Sequence, residues 1–291
     1  MNPRALYLVV VLSLFGMVRA AAQDSPATGQ TKLLPAATES DIECSGFFSA
    51  NSFAPDVVLA GGADNDFFDP LRQFAPGDDV YLQTYKGMGP RVGTEFRVVR
   101  PASESFLKSW SRPGLGPLYE FGPKRRYPGQ GRDLRAMGKP YRDAGRVKVI
   151  QSGPNGVVAK VVYACGAINS GDIAIPYQPR PIPTYVPSTT NRFGNSTGVV
   201  GVVGALPDNR SVVGEGQIAY ITLGRQKNVR PGQRFRIIHE FRFANILLSA
   251  PDFPPETVGE LVVLWTQEMS SVGMVVFAYR GIDAGDIVQG M

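Results

Sequence analysis

Short apolar runs, separated by glycine, proline, asparagine and aspartate, make up most of the chain. Residues 94–100 alternate, so that Phe96 and Val98 share one face of an extended segment and charged side chains share the other. Residues 145–150 and 157–164 are two further apolar runs, and the turn residues between them predict a hairpin. Short strands and tight turns of this kind predict an all-β fold of small barrels or sandwiches.

The apolar and glycine positions repeat along the chain. Residues 145–173 align without gaps with residues 259–287, which lie 114 positions later. A second block repeats 139 positions later, where Phe-Arg-Val-Val at 96–99 matches Phe-Arg-Ile-Ile at 235–238. The two blocks occur in the same order in both halves. The sequence therefore predicts two homologous β-modules of five or six short strands each.

The repeat and the composition between its copies predict the domain organisation. A stretch with five prolines, residues 175–187, separates the copies and favours a semi-rigid polyproline linker. Packing of these prolines along the edge of one module is the alternative. The predicted divisions are a signal peptide over 1–22, a flexible lead-in over 23–41, the first module over 42–176 with an insertion over 101–144, the linker over 177–192 and the second module over 193–291.

The first residues predict export. Arg4 belongs to a short basic start, residues 5–18 are mostly apolar, and small residues follow, so cleavage is expected after Ala20 or Ala22. The apolar run is shorter than the roughly 20 residues of a membrane span, and an uncleaved anchor is the alternative. We therefore expect an exported protein that resides in the periplasm or is associated with the cell envelope.

The chain contains two cysteines, Cys44 and Cys165. Because export permits disulfides and the count is even, the sequence predicts one bridge between them. Such a bridge would pin the segment that enters the first module to the strand at 157–164. A catalytic thiol at one of the two positions is the alternative interpretation.

Glycines and apolar positions mark the same order of elements in both modules. They lie at 77–82, 92–98, 145–149 and 168–172 in the first module, and at 216–221, 229–237 and 259–286 in the second. This order resembles the small β-domain at the C-terminus of flagellar assembly protein T, and the C-terminal β-regions of some exported bacterial envelope proteins that carry LysM domains. The resemblance implies SH3-like or related barrels and a non-enzymatic role in the cell envelope.

Composition limits the chemistry that the chain can perform. The sequence has one histidine, His239, and lacks a Gly-x-Ser-x-Gly nucleophile motif. Any serine–histidine or cysteine–histidine device would have to use His239. We therefore expect a protein without catalytic residues, bound metal or cofactor. A cell-wall hydrolase or transpeptidase that uses His239 is the alternative.

Two groups of aspartates are candidates for other chemistry. Asp172 and Asp286 occupy matching positions after a glycine in the two copies, where turn formation accounts for them. Asp64, Asp66 and Asp69 lie close together in the sequence, but the complete calcium-loop pattern is missing. We expect both groups to serve turns, with paired carboxylates and calcium binding as the alternatives.

The insertion of the first module carries a concentration of positive charge. Residues 121–146 contain eight lysines and arginines, with aromatic residues among them and only Asp133 and Asp143 opposing them. A basic, aromatic loop suits an anionic partner such as a cell-wall polymer, a lipid headgroup or an acidic protein face, and a solubilising loop is the alternative. The candidate binding residues are Lys124, Arg125, Arg126, Arg132, Arg135, Lys139 and Arg142.

Net charge argues against a nucleic-acid partner. The formal net charge is +5, and it falls to +3 when Arg4 and Arg19 leave with the predicted signal peptide. A mild excess of this size, in an exported chain, does not predict nucleic-acid binding. Taken together, these features predict an exported, non-catalytic envelope protein with a binding, scaffold or assembly role.

Overall fold

The computed structural model describes residues 33–62, 72–85, 89–102, 129–153, 156–187, 198–239 and 256–291. The all-β class predicted from the sequence is confirmed, and the modules are two closed six-stranded barrels. Within the described ranges, no helix is long and apolar enough to cross a membrane.

The first barrel contains six strands and is accompanied by short elements. Its strands are β3 (Val57–Gly62), β5 (Asp79–Thr84), β6 (Glu95–Pro101), β7 (Lys139–Gly153), β8 (Gly156–Ala164) and β10 (Ile173–Pro176). The accompanying elements are β1 (Leu34–Pro35), α1 (Glu39–Glu43), β2 (Phe47–Ser49), β4 (Gln73–Phe74), α2 (Gln130–Met137), β9 (Ile168–Asn169) and β11 (Thr184–Tyr185).

The second barrel contains six strands in the same arrangement. They are β12 (Val200–Ala205), β14 (Ile218–Ile221), β15 (Arg234–His239), β16 (Glu256–Thr266), β17 (Ser271–Ala278) and β19 (Ile287–Gly290). A short β13 (Val212–Val213) pairs with β18 (Ile282–Asp283) beside the barrel, as β4 pairs with β9 beside the first. Single 3₁₀ turns occupy Pro207–Asn209 and Arg225–Lys227.

Both barrels have one topology, which the internal repeat predicts. Around the first barrel the order is β3, β5, β8, β7, β6 and β10, and around the second it is β12, β14, β17, β16, β15 and β19. The register also matches, because Leu59 faces Leu82 in the first barrel and Val203 faces Ile221 in the second. A β-bulge follows Leu59 and Val203 at the same step of both ladders. The sequence repeat is therefore a repeat of barrel structure.

Each barrel encloses its own apolar core, because alternate side chains of its strands point inward. In the first barrel, Val80 and Leu82 are buried, and in the second, Phe235 and Ile237 are buried. A third apolar cluster lies between the barrels and draws side chains from both. That cluster joins Phe47, Phe48, Leu134, Met137 and Tyr141 of the first module to Tyr220, Val262, Leu264, Val272 and Met274 of the second.

The proline-rich segment between the modules packs against other parts of the chain. Tyr177 lies under the guanidinium groups of Arg97 and Arg146, at 5.2 and 4.7 Å from its ring centroid. Further along, β11 pairs with β1, and the backbone N–H of Ala36 donates to the carbonyl of Pro183. The segment thus runs along the first module and holds the N-terminal part of the described chain in place.

Candidate functional site

Cys44 and Cys165 form a disulfide, as the sequence predicts, with their Cα atoms 5.3 Å apart. The bridge joins the end of α1 to the residue that follows β8. Residues 39–49, which contain α1 and β2 and are called the wedge below, are thereby fastened to the first barrel. Thr38 caps α1 by accepting a hydrogen bond from the backbone of Asp41, whose carboxylate accepts one from the backbone of Thr38 in turn.

The wedge lies between the two barrels. The ring of Phe47 packs 5.4 Å from Tyr141 of the first module and 5.3 Å from Trp265 of the second. Phe48 packs against Tyr220 of the second module with a centroid separation of 5.3 Å. Aromatic contacts of this kind add about 0.5–1.5 kcal/mol each beyond the area they bury. The aromatic residues of the wedge therefore hold the modules together.

Hydrogen bonds from the second module also end on the wedge. The hydroxyl of Tyr220 donates to the carbonyl of Ser45 at 2.8 Å, and the indole N–H of Trp265 donates to the Ser45 hydroxyl at 2.9 Å. Burial raises the pKa of Tyr220, so its phenol stays a donor. Two donors of the second barrel thus meet one serine of the wedge.

A buried charge network lies beside this aromatic contact. Arg97 pairs with Glu43 at 3.0 Å and with Asp143 at 3.3 Å, and Arg180 pairs with Asp143 at 3.0 Å. The guanidinium carbon of Arg180 lies 3.7 Å from the ring centroid of Trp265. Burial lowers the pKa of Arg180, and the carboxylate of Asp143 opposes that shift. Arg180, from the proline-rich segment, therefore links both modules by charge and by stacking.

A cleft of about 450 Å³ opens next to the wedge, between the barrels. The disulfide forms part of its wall, and Arg100 and Arg142 of the first module line it together with Asp208 of the second. Arg142 pairs with Asp208 across the cleft at 2.7 Å, and both side chains are more than half exposed. The other lining residues that concern the site are Pro140, Leu206, Pro207, Ile218 and Tyr220. A cleft of this size can hold a small molecule.

The structure places four of the seven predicted basic residues. Arg132 and Arg135 lie on α2 with exposed side chains, Lys139 is exposed at the start of β7, and Arg142 lines the cleft. Lys124, Arg125 and Arg126 lie outside the described residues, as do Asp64, Asp66 and Asp69. Within the described ranges, His, Cys, Asp and Glu side chains form no group of three or more that could hold a metal ion.

Part of the basic insertion is helical, although the sequence suggests a glycine-rich loop. Gly129 and Gly138 flank α2, and both have positive φ angles, 91° and 100°. The helix buries Leu134 and Met137 in the cluster between the barrels, and the amide of Gln130 donates to the carbonyl of Gly204 at 3.2 Å. The helix therefore rests on the second module, and its arginines face outward.

The repeated aspartates serve turns, which is the interpretation favoured by the sequence. Asp172 accepts a hydrogen bond from the backbone of Asn169 at 2.9 Å, and Asp286 accepts one from the backbone of Asp283 at 2.8 Å. Each carboxylate also binds a cationic or polar side chain from the matching strand of its barrel. Arg100 binds Asp172 through two nitrogens, at 2.6 and 2.7 Å, and Nδ1 of His239 lies 2.6 Å from Oδ1 of Asp286.

His239 has a carboxylate partner, as a histidine general base does, but its position in the barrel is one where the repeat places a residue that stabilises the fold. A carboxylate beside Nδ1 orients histidine in catalytic triads. In the first barrel, however, Arg100 occupies the matching place, and arginine cannot act as a base at neutral pH. Because both modules keep this contact with different side chains, it acts as a tie between the strand and the turn that closes each barrel.

Sequence reasoning missed Arg100, Arg180 and Asp208. Arg100 and Asp172 align with His239 and Asp286 in the two repeated blocks, so their joint repetition was a usable signal. Arg180 lies in a proline-rich segment that predicts a linker, so its sequence context does not indicate a buried ion pair. No sequence feature distinguishes Asp208. Comparison with known proteins finds no family model that matches the chain and no curated protein that matches it.

Proposed function

We propose that this protein is an exported, non-catalytic protein of the cell envelope, periplasmic or envelope-associated, and that it docks an anionic envelope component or protein partner through the basic insertion of its first module. The observation that carries the proposal is the placement of α2. Its apolar side chains are buried against the second barrel, while Arg132 and Arg135 are exposed. A basic surface mounted on a rigid support loses little entropy when it binds.

Four further features support the proposal. The disulfide suits an oxidising compartment, and the sequence of residues 1–22 suits export. Two barrels joined by a shared core suit a scaffold. The resemblance to β-modules of flagellar assembly protein T and of LysM-associated proteins supports an envelope role, with peptidoglycan among the candidate anionic components.

Co-sedimentation with isolated cell envelopes tests the proposal. Two variants reverse the charge, one at Arg132 and Arg135 and the other at Lys124, Arg125 and Arg126. We expect both to lower the bound fraction at least threefold, and binding of the parent protein to fall as salt is raised, because exposed charges are screened. The matched control reverses Arg225 and Lys227, which are exposed on the second barrel.

Two outcomes would contradict the proposal. Equal binding by all variants would remove the basic insertion from the interaction, and an equal loss in the control would indicate a non-specific charge effect. The alternative, a cell-wall enzyme, predicts wall-remodelling activity that Ala or Gln at position 239 abolishes. Activity that survives His239→Gln would exclude a histidine-dependent mechanism.

A further inference from the structure

Arg100 and Arg142 face each other directly across the β6–β7 ladder. Residues opposite one another on antiparallel strands place their side chains on the same face, with Cβ atoms about 5 Å apart. Like charges at such a pair destabilise a sheet. Both arginines line the interbarrel cleft, so two positive side chains project from adjacent positions at one wall of a concave site.

Each arginine uses only some of its nitrogens. Arg100 donates from Nε and Nη2 to Asp172 and, from Nη2, to the carbonyl of Ala167 at 3.1 Å. Arg142 contacts Asp208 through Nη2. Among the described residues, Nη1 of Arg100 and Nε and Nη1 of Arg142 have no hydrogen-bond partner. Their side chains are 39% and 63% exposed, so these donors can reach a ligand in the cleft.

One part of the wall of the cleft is apolar. Leu206, Pro207, Ile218 and Tyr220 of the second barrel line it, together with Pro140 of the first. The side chain of Asp143 is fully buried, and its carboxylate is already paired with Arg97 and Arg180. Among the described residues that line the cleft, Asp208 is thus the exposed acidic group that competes with a ligand.

We propose that the interbarrel cleft binds a small organic oxyanion, a carboxylate or phosphate carried on a compact apolar body. The oxyanion accepts hydrogen bonds from Arg100 and Arg142, because guanidinium groups match the geometry of carboxylate and phosphate oxygens. The apolar body lies against Ile218 and Tyr220. The cleft shares Arg142 with the basic insertion, but Arg132 and Arg135 of α2 do not line it, and its occupation by a small anion does not depend on the proposed function.

Asp208 sets the affinity of this site. Its contact with Arg142 is an exposed ion pair, and such pairs contribute little to stability, so a ligand displaces it at small expense. Removal of the carboxylate leaves both arginines available and takes away a negative charge at the mouth. The two partners of one ion pair should therefore have opposite effects on anion binding.

Titration calorimetry on the full chain tests the site with four probes: phenyl phosphate, benzoate, inorganic phosphate and benzyl alcohol. We expect phenyl phosphate or benzoate to bind, and the tighter of the two identifies the oxyanion that the cleft prefers. Inorganic phosphate should bind at least tenfold more weakly, because it makes no apolar contact. Benzyl alcohol should not bind detectably, because it carries no charge.

Three variants connect the binding to the cleft. Arg142→Gln should lower the affinity for the preferred probe at least tenfold, and Asp208→Asn should raise that affinity severalfold. Arg225→Gln, on an exposed surface elsewhere, should leave the affinity unchanged. Thermal unfolding of each variant verifies that it folds. The inference is overturned if neither organic anion binds at millimolar concentration, or if Arg142→Gln and Arg225→Gln have the same effect.

Discussion

Nδ1 of His239 lies 2.6 Å from Oδ1 of Asp286, and this contact occupies in the second barrel the place of the Arg100–Asp172 ion pair in the first. One tie uses an imidazole, and the other uses a permanently charged guanidinium. The two barrels therefore use different side-chain chemistry at the same closing turn.

Asp286→Asn tests the acid response of the second barrel. Burial raises the pKa of Asp286 above its ordinary value of 3.8. The folded state therefore binds the proton of the Asp286 carboxyl more tightly than the unfolded state does. This difference stabilises the folded state below the ordinary pKa, and the stabilisation is lost as the pH rises through the raised pKa. Asparagine is uncharged at every pH, so the loss of unfolding free energy caused by Asp286→Asn should become smaller as the pH rises from 3 to 7. Urea unfolding of both proteins across that range measures it.

Asp172→Asn is the comparison for that experiment. This change removes a bidentate ion pair with Arg100, which is partly exposed, and should cost about 1–2 kcal/mol at pH 7. A difference between Asp286→Asn and the parent that does not vary with pH would contradict the assignment of a buried, titrating carboxylate to this turn.

Removal of the disulfide should lower the stability of the whole protein. Cys44 and Cys165 are 121 positions apart in the sequence, and a loop of about that length contributes roughly 5 kcal/mol in the chain-entropy model. The double substitution to alanine should therefore shift the guanidinium midpoint strongly downward. A reductant should shift the parent protein in the same direction and leave the double variant unaffected. An equal midpoint for parent and double variant would rule out a bridge that stabilises the fold.

Arg180→Ala should weaken the contact between the barrels. The substitution leaves Asp143 with one cationic partner and uncovers the ring of Trp265, so we expect a loss of about 3 kcal/mol. The stability of Arg180→Lys should lie between those of the parent and Arg180→Ala, since lysine keeps the charge but not the planar stacking. Calorimetry should show a single transition for the parent, because a shared core couples the modules. Two well-separated transitions in the parent would refute that coupling, and Arg225→Ala is the matched control.

Gly138→Ala should loosen α2. Gly138 has a φ angle of 100°, and a Cβ there would meet the backbone of Ser49 in β2. Backbone strain and this clash together should cost about 2 kcal/mol or more. Gly166→Ala is the control, since a Cβ at Gly166 meets nothing within 4 Å. Urea unfolding compares the two, and an equal small effect would show that the helix end tolerates a side chain.

Much of the barrel architecture could be predicted from the sequence, because the apolar residues of the strands either alternate with polar ones or recur at the matching positions of the second module. Phe235 and Ile237 match Phe96 and Val98 at a constant spacing, and the glycines of the turns match as well. The disulfide followed from an even cysteine count in a chain predicted to be exported.

The association of the barrels could not be predicted, because it joins side chains that look ordinary within their own strands. Phe47 and Trp265 lie more than 200 residues apart in the chain, and nothing in either neighbourhood identifies the other as a partner. The helix α2 was hidden for a similar reason. Leu134 and Met137 are its only large apolar residues, and their burial depends on a surface supplied by the second barrel.

The disulfide has a consequence for biosynthesis. All residues between Cys44 and Cys165 precede the second module. Under the proposed export, a chain that is translocated from its N-terminus can therefore oxidise its first barrel while the second is still being synthesised. The sides of Phe47 and Phe48 that contact Trp265 and Tyr220 then stay uncovered until the second barrel is made. The half-finished chain therefore carries an exposed aromatic flank, and its protection from aggregation depends on how promptly translation delivers the second barrel.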